Sequence, residues 1–176
     1  VTNVDDESAS VTVSPVSGPT TEAGGGATFT VQLTSQPTAD VTIGLSSSDT
    51  SEGTVSPASL TFTPSGAGIW STPQTVTVTG VDDSVDDGDI VYTIVTTASS
   101  ADTQYNAINP ADVSVTNNDN DAASITVSAV SGPTTEAGGT ATFTVVLTSD
   151  RKSGVEGKSV DLGGRRIIKK GYRAGI

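Results

Sequence analysis

The chain has 176 residues, a formal net charge of −12, 34% apolar and 4% aromatic side chains, and neither Cys nor His. Without those two residue types, disulfides, thiolate chemistry, imidazole general bases and the Ser-His-Asp triad are excluded, and zinc loses its usual ligands. The charge is split: residues 1–150 hold 18 Asp or Glu and no Lys or Arg, while all eight basic residues fall between Arg151 and Arg173. A stretch so acidic repels nucleic acid and anionic membrane, and its natural partners are cations.

Apolar alternation, abundant Thr and Val, and Gly/Pro/Asn punctuation predict short strands. Val11 and Val13 mark the first, then Phe29, Val31 and Leu33, then Val41, Ile43 and Leu45. Leu60 with Phe62, Val76 with Val78, Ile90 with Tyr92 and Ile94, and Val113 with Val115 complete about seven. Each strand has one apolar face, so the expected fold is all-β: an antiparallel two-sheet β-sandwich of the immunoglobulin-like kind. Trp70 is expected to anchor the core or its edge.

The same sequence then begins again. Thr2–Ser35 aligns without gaps on Thr116–Ser149, with 26 of 34 positions identical at an offset of 114. That period is one sandwich, which predicts a tandem array. The expected organisation is the end of a preceding repeat at 1–7, a complete repeat at 8–121 and the truncated start of the next at 122–149. Starting in mid-pattern at Val1, the chain reads as a piece of a longer protein. Two strands cannot bury their apolar faces alone, so 122–176 is expected to be poorly ordered or to lie against the complete repeat. Residues 150–176 form a non-homologous basic tail. The segment DRKSGVEGKSVDLGGRRIIKK resembles a translated sequencing adapter, and no function is assigned to it.

The acids of the complete repeat cluster at strand ends: TEAG at 21–24, SEGT at 51–54, VDDSVDDGD at 81–89 and NNDND at 117–121. Acidic and amide residues suit turns and solubility. Carboxylates gathered at one end of a sandwich without a basic neighbour instead call for protonation or a cation, and oxygen ligands on adaptable loops suit Ca²⁺ better than Mg²⁺.

The Glu-Ala-Gly-Gly opening with Thr-Phe-Thr-Val, the Ser-Leu-Thr-Phe strand, Val-Thr-Val-Thr-Gly-Val-Asp-Asp and the Asn-Asp-Asn-Asp run resemble a Calx-beta module over residues 8–121. The resemblance implies a calcium-binding repeat of bacterial-type surface and adhesion proteins. It assigns metal ligation to Glu22, Glu52, Asp82, Asp83, Asp87, Asp119 and Asp121. Glu at position 52, where the family often has Asp, and the Asn-diluted terminal run depart from its pattern. The expected function is a calcium-stiffened spacer in a secreted or cell-surface adhesion protein, not an enzyme, with adjacent repeats as partners. Elsewhere in the parent, a cell-surface glycan or protein is the expected target; nucleic acid and membrane insertion are not. The alternative is a metal-free carbohydrate- or protein-binding sandwich using Trp70, Tyr92 or Tyr105.

Overall fold

The computed structural model describes residues 7–148; the expectations for 1–6 and for the basic tail lie outside the described residues. Two sheets form the complete repeat. The first has four strands in the order β1 (Val11–Val13), β3 (Gly26–Leu33), β7 (Gln74–Gly80) and β5 (Gly53–Ser56). The second has five, in the order β2 (Thr20–Thr21), β9 (Val113–Asn118), β8 (Ile90–Ser100), β4 (Val41–Ser47) and β6 (Ser59–Phe62). The chain is therefore an all-β sandwich, and the alternating positions of its long strands carry the core.

Phe29, Val31, Leu33, Val76 and Val78 of the first sheet pack against Val41, Ile43, Leu60, Phe62, Ile94 and Val115 of the second. All are buried, as a two-residue period with one face turned inward requires. Trp70 is half-buried against this cluster, so it is the core-edge anchor the sequence predicts.

Three elements were not legible. β2 is two threonines and pairs parallel to β9, with Thr20 opposite Asn117 and Thr21 opposite Asn118. β5 has one apolar residue, Val55, and pairs along the edge of β7. The short helix α1 (Thr103–Asn106) is capped by Asp102, whose side chain accepts from the Gln104 N–H. Its Tyr105 is buried; the hydroxyl donates to the Ser35 carbonyl at 2.6 Å and accepts from the Ser35 N–H at 3.1 Å.

Register places the sandwich ends. Gly26 lies opposite Thr79, and Ile90 opposite Asn117, so β3 begins, β7 ends, β8 begins and β9 ends at one pole. The loops 22–25, 81–89 and 119–121 gather there. Trp70 and α1 lie at the other pole, beside the Leu33 end of β3, where the Leu33 N–H donates to the Trp70 carbonyl.

Residues 125–147 do not lie against the complete repeat, the second of the two arrangements expected for them. They form a two-stranded antiparallel hairpin of β10 (Ile125–Val127) and β11 (Val145–Leu147), whose apolar side chains are exposed.

Candidate metal centre

The acidic pole is built on a bracket of uncharged polar groups. Asn117, the penultimate residue of β9, is 1% exposed. Its Oδ1 accepts from the Thr20 hydroxyl at 3.0 Å, and its Nδ2 donates to the Val81 carbonyl at 3.1 Å and to Glu52 Oε2 at 3.5 Å. One amide thus ties β2, β9 and the end of β7 together. Gly80 passes beneath this bracket so closely that a Cβ there would strike the Thr21 carbonyl and Asn117 Oδ1, which leaves room for glycine alone.

β2 delivers Glu22 to the pole, with its backbone N–H donating to the Asn118 carbonyl at 3.2 Å. The side chain is 3% exposed, and Oε2 accepts from the Asn120 N–H at 3.0 Å. β9 delivers the other members of the group. Asp119 accepts from the Asp121 N–H at Oδ1 and from the Gly88 N–H at Oδ2, both at 2.7 Å. Its own N–H donates to Asp89 Oδ1 at 3.1 Å. Gly88 has φ +77°, the left-handed turn that aims its N–H at Asp119.

Glu22, Asp119 and Asp121 each place one carboxylate oxygen within 4.8 Å of the others. Oxygens sharing one Ca²⁺ at 2.3–2.6 Å stand at most about 5.2 Å apart, so the spacing fits a single ion. The remaining ligands of a six- to eight-oxygen shell would come from neighbouring carboxylates, backbone carbonyls or water.

Electrostatics follow from this crowding. Burial raises the Glu22 carboxyl above its ordinary value, with the charges of Asp119 and Asp83 adding to it and the Asn120 N–H opposing. Asp119 moves the other way, because the Asp121 and Gly88 N–H groups stabilise its anion. The two carboxyls also hydrogen-bond to each other. That contact and the backbone donors push the two carboxyls in opposite directions, Glu22 up and Asp119 down. Asp121 is raised by desolvation and by Asp119, Asp82, Asp83 and Asp86.

Of the seven residues the sequence put forward, the structure brings three together. Asp82 and Asp83 are exposed on the loop and act on Asp121 through charge. Asp87 offers Asp119 its backbone N–H. Glu52 is not one of the clustered three: it is 3% exposed, bonded to Asn117 and close enough to the Tyr92 phenol to help raise it. Two contributors were passed over. Asp89 receives the Asp119 N–H, and Asp86 Oδ2 accepts from the Ala123 N–H at 2.9 Å. Both stand in the 81–89 acidic run, but nothing in their spacing shows which member faces the β9 end.

Two of the three aromatics named for the alternative reading come together, at the pole opposite the acids. Tyr92 and Tyr105 are 3% and 1% exposed, and their hydroxyls are engaged with Thr20 and Ser35. Trp70 and Tyr105 line one surface cleft, together with Gln36, Thr38 and Gln104.

Fold and pole together define the class, a β-sandwich repeat with an acidic cluster at one end. No protein-family model matches the chain, and no curated protein matches it. Among solved structures the chain is similar to SSP-19, an MSP-domain protein-like family member of Caenorhabditis elegans. The identity is 17%, over 57% of this chain and 92% of that one, with a TM-score of 0.36.

Proposed function

We propose that the repeat is a calcium-stabilised structural module: a stiff spacer in a secreted or cell-surface adhesion protein, holding rather than transforming its ligand. The observation that carries this reading is the approach of Glu22, Asp119 and Asp121 to within 4.8 Å with no Lys or Arg anywhere in 1–150. A divalent ion relieves that repulsion. The Calx-beta-like motifs support the same assignment. When bound, the ion supplies charge neutralisation and a cross-link. Glu22 comes from the start of the repeat and Asp121 from the linker to the next, so holding both restricts bending between consecutive modules. Among the described residues no helix is long and apolar enough to cross a membrane.

The test is thermal unfolding of the chain in chelator and in millimolar calcium, with calorimetric titration alongside. Calcium at about 100 times its dissociation constant adds about 2.7 kcal/mol, a rise of roughly 10 °C for a module this size. Magnesium at the same concentration is expected to do less. Superimposable melts with no heat of binding overturn the proposal.

A further inference from the structure

At the pole opposite the acids, Trp70 and α1 border an open cleft of about 580 Å³, within the range of roughly 300–1,000 Å³ typical of small-molecule sites. Its walls are fixed before any ligand arrives. The Trp70 backbone N–H donates to the Thr63 carbonyl at 3.0 Å, and the Trp70 carbonyl accepts from the Leu33 N–H at 3.3 Å, so the chain beneath the indole is pinned on both sides. Asp102 ties the facing walls together, accepting from the Thr38 N–H at 2.8 Å and from the Gln104 N–H at 2.9 Å. Tyr105 closes the floor, its hydroxyl locked onto the Ser35 backbone.

We propose that this cleft binds a neutral carbohydrate, with the Trp70 indole as the stacking surface and the Gln36 and Gln104 amides as hydrogen-bonding partners. Trp70 is half-buried, whereas Phe29 and Phe62 inside the sandwich are 2% and 0% exposed. An amphipathic ring left partly open beside polar side chains suits a ligand with a C–H face and a rim of hydroxyls, which describes a pyranose. The charge of the lining narrows the class. Neither carboxylate at the cleft is free: Asp102 is committed at both oxygens to Thr38 and Gln104, and Glu7 is engaged within the chain. Among the described residues no Lys or Arg lines the cleft, so an anionic ligand meets no counter-charge. The groups left to contact a ligand are uncharged. Gln36 donates to the Pro64 carbonyl at 3.1 Å, which holds its amide in place and leaves the amide oxygen as an acceptor. Gln104 is exposed on the capped helix α1. The site lies at the other end of the sandwich from the acids and is independent of the metal.

Titration of the full chain with cellotriose, maltotriose, mannotriose and chitotriose tests it. Trp70 is the one tryptophan of the chain, so tryptophan emission reports on this cleft. One stacking ring and a few amide contacts set a dissociation constant on the order of 1 mM for the preferred sugar. At least one of the four is expected to shift the emission saturably, equally in chelator and in calcium, whereas trigalacturonate and trilysine are not. Ligand-observed NMR on variants then locates the sugar. Gln104→Ala, at an exposed position, should weaken binding roughly three- to tenfold with the melting temperature unchanged. Trp70→Ala should abolish binding, but it also loosens the core edge, so Gln104→Ala carries the decision. No response to any neutral sugar up to about 20 mM, well past the expected constant, overturns the proposal. Unchanged binding in Gln104→Ala does so too, as does binding that requires calcium, which would place the sugar at the acidic pole. A response to trilysine alone would make the indole a cation-binding ring and overturn it equally.

Discussion

The backbone N–H of Asn120 donates to Glu22 Oε2 at 3.0 Å, across a sequence separation of 98 residues. Through this bond a buried acid from the start of the repeat meets the segment that leads out of it. Asp119 and Asp121 stand on either side of Asn120, so forming the bond also gathers three negative groups in one place. The pole is held together by backbone donors and strained by charge, and the two can be separated by substitution.

Glu22→Gln keeps an amide oxygen to accept from Asn120 and removes the least comfortable charge. In calcium-free buffer the variant is expected to melt roughly 2–5 °C higher than the parent. In calcium it loses most of the metal-dependent rise. Asp119→Asn should behave oppositely without metal, because two N–H groups stabilise the Asp119 anion. Paired melts of the three proteins, with and without calcium, check this. A lower calcium-free melting temperature for Glu22→Gln would show that its charge is not a source of strain.

The pH dependence has a sign fixed by the same groups. Glu22 and Asp121 are raised, so above their ordinary values of 4.5 and 3.8 the folded state holds protons that the unfolded chain has released. Stability from these groups is fully present below those values and falls as pH rises through the folded-state values. Asp119 and Asp102 are lowered, so their contribution is present above 3.8 and is lost as pH falls below it. Metal-free protein should therefore be most stable in mildly acidic buffer and weaken toward neutrality. Calcium, which competes with those protons, should shift the optimum upward. Melting temperature against pH, in calcium-free and calcium-saturated buffers, checks the crossing; parallel profiles would contradict it.

How much of this the sequence revealed depends on the kind of signal. Phe29, Val31 and Leu33, or Val76 and Val78, alternate with polar residues, and alternation of that strength specifies a half-buried strand without further information. β2 leaves no such trace, since two threonines give no period and are held by pairing with β9. At the pole, composition shows that acids accumulate but not their depth. Asp82 and Asp83 form the most conspicuous pair and are exposed, whereas Glu52 is buried and bonded to an amide rather than clustered with Glu22. Asn117 and Asn118 read as a diluted acidic run. In the fold they are the last two residues of β9, and their inward and outward positions give them different work.

That difference yields a sharp comparison between neighbours. Asn117 is 1% exposed and its side chain makes three hydrogen bonds, to Thr20, Val81 and Glu52. Asn117→Ala withdraws a donor from the Val81 carbonyl and from a buried carboxylate, and opens space above Gly80. Losing bonds to buried groups of this kind is worth about 2–3 kcal/mol, or roughly 10 °C in melting temperature. Asn118 is half-buried, and the bond it contributes at the pole comes from its backbone carbonyl, which accepts the Glu22 N–H. Asn118→Ala keeps that bond and should change stability by about 0.5 kcal/mol or less. Calcium-free denaturant unfolding of both variants measures the contrast. Equal losses would mean that the bracket beneath the acidic pole is not built on Asn117, while a loss confined to Asn117→Ala would locate the pole's mechanical support in an uncharged side chain below the layer of acids.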